Sequence, residues 1–81
     1  LKNSYARYET EKENKVKLVS QKAFWEKKIL EYPEYRDGYT SLAIIDYQLG
    51  DNTQALFNVK KALRIDPNDS TAKKLEEILT R

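Results

Sequence analysis

The sequence predicts an all-α fold, and its composition and the spacing of its apolar residues lead to that prediction. The chain contains only two Gly and two Pro in 81 residues, with 40% apolar and 35% charged residues. This balance favours helix over strand or disorder. The apolar residues recur at the three- and four-residue spacing of one helical face. We expect four helices, near residues 2–31, 36–49, 53–65 and 70–80, with consecutive helices antiparallel.

The first predicted helix is long, because residues 1–31 contain neither Pro nor Gly. It would extend for about 45 Å and end before Pro33. Its start carries a heptad-like seam of apolar residues, at Leu1, Tyr5 and Tyr8. A stable coiled coil needs three or four such heptads, so the seam is too short for one. We expect residues 1–17 to form a solvated extension or stalk, with self-association or membrane-proximal spacing as the alternative.

The second and third predicted helices form a hairpin around a tight turn. One apolar face precedes the turn, at Tyr39, Leu42, Ala43, Ile45 and Leu49. Gly50 follows where a left-handed C-terminal cap is needed, and Asp51 or Asn52 can cap the next helix. A second apolar face follows, at Ala55, Leu56, Val59, Ala62 and Leu63. Asp66-Pro67 ends this helix, because Pro disfavours helical geometry in the residue before it.

The last predicted helix closes the domain. Asn68 or Asp69 can cap its start. Its apolar face consists of Ala72, Leu75, Ile78 and Leu79. Charged residues on the opposite side are typical of the polar outer face of a terminal helix in a repeat protein.

The hairpin resembles the tetratricopeptide repeat, a 34-residue helix-turn-helix unit. The residues that carry the resemblance are Tyr39, Leu42-Ala43, Leu49-Gly50-Asp51, Ala55, Val59, Ala62 and Asp66-Pro67-Asn68. Asp46 stands where the family has Tyr, and Val59 where it has a large aromatic residue. Pro33 lies 34 residues before Pro67, so the end of the first helix resembles the second helix of a preceding repeat.

The resemblance implies a domain organisation and a function. It implies a half repeat at 18–34, a full repeat at 35–68 and a closing helix at 69–81, which together form a tetratricopeptide-like α-solenoid domain at 18–81. Such repeats bind peptides or partner proteins along the concave face of their first helices. We therefore expect a protein-protein interaction module with a partner of unknown identity.

The family's concave positions, carried onto this sequence, select six candidate groove residues: Asp37, Thr40, Ser41, Ile44, Tyr47 and Gln48. Some family members bind a C-terminal carboxylate through a set of Lys and Asn residues that is missing here. The resemblance therefore implies an apolar or mixed peptide as the ligand. The alternative is that this face binds nothing and only packs.

The first helix has more apolar residues than one hairpin can cover. Leu18, Trp25 and Ile29 are expected to face the hairpin. Others spread around the remaining surface, at Val16, Val19, Ala23, Phe24 and Leu30. These five are candidates for self-association as a homodimer, because a second copy could cover them. The alternative is a monomer in which Lys and Glu side chains screen the patch.

Several other classes of function receive no support from the sequence. The chain has no Cys and no His, and its neighbouring carboxylates point apart on helices, so we expect no catalysis, no metal site and no cofactor. Residues 1–36 carry nine basic and six acidic side chains, and residues 37–81 carry six and seven. Nucleic-acid binding needs positive charge collected on one face, so this interleaved pattern argues against it.

The longest apolar runs are far shorter than the roughly 20 residues of a membrane-spanning helix. We therefore expect no membrane insertion within this chain. Because the chain begins with Leu1 rather than Met, we expect it to be part of a longer protein. The composition does not indicate a cellular compartment. The alternative function is a structural stalk or oligomerisation segment of a larger, membrane-anchored assembly.

Overall fold

A computed structural model describes the backbone of residues 2–81 and the side chains of residues 12–81. This part of the chain forms four α-helices: α1 (Lys2–Glu31), α2 (Arg36–Gln48), α3 (Asn52–Ile65) and α4 (Ser70–Leu79). The all-α prediction is confirmed, and every predicted helix end lies within one residue of the observed end. The predicted seam of Leu1, Tyr5 and Tyr8 falls outside the described side chains.

Local signals explain the helix ends. Gly50 has a φ of 83°, the left-handed conformation that Gly adopts without steric cost after a helix. Asp51 caps α3, because its side chain accepts a hydrogen bond of 3.1 Å from the amide of Gln54. Asp69 caps α4 by accepting from the amides of Thr71 and Ala72. Each capping side chain satisfies amides that a helix start leaves unpaired.

Contacts between specific residues show how the helices run. Lys22 of α1 contacts Asp46 of α2, whereas Ile29 near the end of α1 lies against Gly38 near the start of α2. The α1 and α2 helices are therefore antiparallel. The α2 and α3 helices are also antiparallel, because Asp46 bonds to Asn58 and Arg36 bonds to Asp66.

The α4 helix packs beside both α3 and α2. Thr40 bonds to Asp69 at the start of α4, and Ile44, one turn further along α2, lies beside Leu75 and Ile78. Later residues of α2 thus meet later residues of α4, so these two helices run parallel. They form a continuous two-helix surface on one side of the hairpin.

The core lies among α2, α3 and α4. Its buried residues are Tyr39, Ala43, Val59, Ala62, Ala72 and Leu75. The alanines allow the helices to approach closely. The hydroxyl of Tyr39 donates a hydrogen bond of 2.9 Å to the carbonyl oxygen of Pro33, so this buried polar group is satisfied and holds the turn between α1 and α2.

The molecule is elongated because α1 is longer than the helices beside it. Its longest dimension is 47 Å, close to the length of about 45 Å expected for the 30 residues of α1. Within the described residues, no helix combines the length and apolar character needed to cross a membrane.

Candidate functional site

The outer surface formed by α2 and α4 contains a shallow apolar pocket. It is lined by Ile44 of α2 and by Thr71, Lys74, Leu75 and Ile78 of α4. Leu75 is buried and forms the floor, whereas Ile44 is 37% exposed. Lys74 adds a positive charge at the rim. This pocket offers an apolar side chain a place to bind, with a cation beside it.

One end of this surface carries a network of charged residues around Arg36. The Nε of Arg36 lies 2.7 Å from Oδ1 of Asp37. Its Nη1 lies 3.2 Å from Oδ2 of Asp66 and 3.3 Å from Oδ2 of Asp69. Desolvation lowers the pKa of Arg36, but the three carboxylates outweigh it, so the pKa is raised. The network ties the start of α2 to the turn before α4.

Thr40 connects the same network to α4. Its hydroxyl donates a hydrogen bond of 2.7 Å to Oδ2 of Asp69. Burial raises the pKa of Asp69, but the hydrogen bonds from Thr40 and the Ala72 amide, together with the Arg36 charge, outweigh it, so the pKa is lowered. Thr40 is therefore engaged in holding α4 and is less available to a ligand than its position on the groove face suggested.

The structure separates the remaining candidate groove residues. Ser41 is half-buried, and Tyr47, one turn beyond Ile44, is exposed. Gln48 lies beside Asn14 and Leu18 of α1 and is therefore away from the α4 pocket. Of the six candidates, Ile44 lines the pocket, and Asp37 and Tyr47 are exposed on the same helix.

Sequence reasoning identified only the α2 side of this pocket. The α4 side includes Thr71, Lys74 and Ile78, and each lies 34 residues after a candidate on α2: Asp37, Thr40 and Ile44. The 34-residue offset that relates Pro33 to Pro67 would have identified them. This signal was present in the sequence.

A buried polar cluster on the other side of α2 was also missed. Asp46 is 0% exposed. Its Oδ2 accepts a hydrogen bond of 2.9 Å from Nδ2 of Asn58, and its Oδ1 lies 2.8 Å from Nζ of Lys22. The hydrogen bond with Asp46 raises the pKa of Lys22. A buried carboxylate that is paired in this way holds three helices in register.

The five self-association candidates on α1 are all exposed. They do not form one surface. Phe24 packs edge-on against Trp25, with ring centroids 5.1 Å apart, and the ammonium of Lys28 lies 6.0 Å from its ring. At about 100° per residue, Phe24 points away from the direction of Val19 and Ala23. Phe24 therefore belongs to an aromatic surface, and the aliphatic residues form a separate one.

Comparison of the chain with protein-family models, curated proteins and solved structures found no match.

Proposed function

We propose that this chain is a tetratricopeptide-like interaction module that binds a peptide segment of a partner protein in the groove between α2 and α4. The observation that carries the proposal is the open apolar pocket between two parallel helices, lined by Ile44, Leu75 and Ile78. Binding sites of this kind combine an apolar anchor pocket with a polar rim.

The spacing of the sequence supports the comparison with tetratricopeptide repeats. The groove residues of α2 and α4 are related by the same 34-residue offset as Pro33 and Pro67. Ala43, Ala55 and Ala62 are fully buried, as the resemblance requires at points of close helix approach. These features support the family assignment, which remains our proposal.

The chemistry of the rim favours a particular type of peptide. Lys74 stands beside the pocket, whereas the carboxylates at the other end are held by Arg36. We expect a peptide with one aliphatic or aromatic side chain in the pocket and an acidic residue near Lys74. Binding is proposed rather than catalysis, because the chain has no His or Cys and its most buried carboxylates are paired.

The proposal can be tested by selecting peptides from a random display library with this chain as bait. Selected peptides should share an apolar residue with an acidic neighbour. Their affinity should fall at least about tenfold when Ile44 is changed to Asp and Tyr47 to Ala, because the anchor pocket is lost. Phe57→Asp is the matched control, since Phe57 is an exposed apolar residue on α3 outside the pocket.

Two results would contradict the proposal. One is a library selection that enriches no sequence. The other is a set of peptides whose affinity is the same for the Ile44→Asp/Tyr47→Ala variant and the parent chain. Circular dichroism of each variant should show unchanged helicity, because the substituted side chains are exposed.

A further inference from the structure

The α1 helix carries an apolar surface that no other described helix covers. Four residues form it, Val16, Val19, Ala23 and Leu30, and we call them the α1 stripe. At about 100° per residue they fall within an arc of about 60°. All four are exposed, and Leu30 is 82% exposed.

The hairpin cannot cover the α1 stripe in this fold. Among the described helices, α1 contacts α2 and neither α3 nor α4. The residues of α1 that face α2 include Trp25, whose ring centroid lies 6.2 Å from that of Tyr35 at the start of α2, and Ile29, which lies against Gly38. These residues occupy a different arc of the helix, about 120° from the stripe.

We infer that the α1 stripe pairs with the same stripe of a second copy of this chain, with the two α1 helices antiparallel. A pair of identical helices can bury one another's apolar surface through a two-fold axis. The small side chain of Ala23 lies within the stripe and allows the two backbones to approach closely. In the expected register, Val19 of one copy lies opposite Ala23 of the second copy, and Leu30 lies opposite Lys12, whose aliphatic stem can cover it.

Charge complementarity determines the antiparallel direction. In a parallel pair in register, only residues on the arc of the stripe meet their own equivalents, so Lys12, at the same angle as Leu30, would lie opposite Lys12. In the antiparallel register, Glu26 lies beside Lys15 of the second copy and Glu13 lies beside Lys27 of the second copy. Opposite charges thus flank the stripe in the antiparallel pair, whereas the parallel pair places two lysines within the contact.

The size of the contact indicates a weak dimer. The helix from Lys12 to Leu30 is about 27 Å long, and a helix with its side chains is about 10 Å wide. Such a strip covers about 270 Å² on each copy, and the two together stay below the roughly 1,000 Å² that stable specific interfaces bury in total. We therefore expect dimerisation that depends on protein concentration.

Sedimentation equilibrium across about 10 to about 500 μM tests this inference, since weak interfaces associate in that range. The average mass should rise from 9.5 kDa towards twice that value. Val19→Lys should raise the dissociation constant of the dimer by at least about tenfold, because it places a charge in the apolar contact. Phe24→Lys is the matched control, since Phe24 is similarly exposed but points to a different side of α1, and it should leave the constant unchanged.

A monomeric mass over the whole range of protein concentration would overturn the inference, and the α1 stripe would then be a contact for a different chain. A dimer weakened by Phe24→Lys but not by Val19→Lys would also overturn it, because the interface would then include the aromatic surface instead. Circular dichroism at each concentration should show that both variants keep the parent helicity.

Disulfide crosslinking tests the direction of pairing, because the chain has no native Cys. An equimolar mixture of the Val19→Cys and Ala23→Cys chains should give mainly the mixed disulfide dimer, which mass spectrometry distinguishes from the two homodimers. An antiparallel pair brings these two positions within the short Cα separation that a disulfide requires. Homodimers formed by each chain alone would indicate a parallel pair and contradict the inference.

Discussion

The α2–α3 hairpin and the α1 helix differ in how much of their apolar surface they bury. In the hairpin, Ala43, Ala55, Val59 and Ala62 are 0% exposed. No described residue of α1 is buried to that extent, and its contact with α2 uses partly exposed residues such as Trp25 and Ile29. The hairpin therefore contains the core, and α1 is attached to its surface.

Small residues account for this difference. Alanines on α2 and α3 allow these helices to pack closely, whereas α1 has the larger Gln21 and Lys28 at the positions 34 residues before Ala55 and Ala62. The close approach of α1 depends instead on Gly38 of α2. A Cβ added at Gly38 would lie 2.6 Å from Cγ2 of Ile29, which is too close for van der Waals contact. The α1 helix thus docks at a few points rather than along a continuous core.

The largest expected difference between the two regions comes from one substitution made in each. Val59 is 0% exposed and Val19 is 53% exposed. Val59→Ala should lower the free energy of unfolding by about 2–3 kcal/mol, because it removes buried methyl groups and leaves a cavity. Val19→Ala should change it by less than about 0.5 kcal/mol at low protein concentration. Urea unfolding followed by circular dichroism measures both free energies. Equal losses for the two variants would contradict the conclusion that the hairpin contains the core and α1 is attached to its surface.

A second prediction concerns the cluster that holds α1 on the hairpin. Lys22→Met removes the cation beside the buried Asp46 carboxylate and leaves it with Asn58 alone. Removing one partner of a buried ion pair costs about 3–5 kcal/mol. Because the Lys22 side chain is 26% exposed, we expect a smaller loss of about 2 kcal/mol in the free energy of unfolding.

Lys15→Met is the matched control for this prediction, since Lys15 is an exposed lysine on the same helix. It should change stability by less than about 0.5 kcal/mol at low protein concentration, where the chain is monomeric. Asp46→Asn in the Lys22→Met background should recover part of the lost stability, because the unpaired buried charge is then absent. If the two lysine variants have the same stability, the cluster does not hold α1 in place.

Most of the fold could be predicted from the sequence because its signals are local. Gly50, Asp51, Pro67 and Asp69 mark helix ends through their own backbone or capping preferences, and the helix ends follow from them. The apolar spacing then specifies which face of each helix is buried. These properties depend on residues within one or two helical turns.

The missed features depend on residues from several helices. The cluster of Lys22, Asp46 and Asn58 joins α1, α2 and α3, and no local pattern relates these three positions. The bond from Thr40 to Asp69 similarly joins positions 29 residues apart. Sequence periodicity indicates that a residue faces the core, but it does not identify the polar partner that the residue meets there.

The smallest expected effect is that the two regions lose stability at opposite extremes of pH. Asp69 holds α4 on α2, and its folded pKa is lowered below the ordinary 3.8. Its contribution is present above that ordinary value and is lost as the pH falls through the folded pKa. Lys22 holds α1, and its folded pKa is raised above 10.5. Its contribution is complete below 10.5 and is lost as the pH rises through the folded pKa.

Urea unfolding at neutral, acidic and alkaline pH tests this opposition. Between neutral pH and about pH 3, Asp69→Asn should lose less stability than the parent chain does, by up to about 1 kcal/mol. Between neutral pH and about pH 11, Lys22→Met should lose less than Lys15→Met does, because only Lys22 is paired with a buried carboxylate. If Asp69→Asn and the parent chain lose the same free energy of unfolding in acid, this carboxylate is not held by Thr40 and Arg36 in the folded protein. If the two lysine variants lose the same free energy of unfolding at alkaline pH, the charge of Lys22 does not attach α1 to the hairpin.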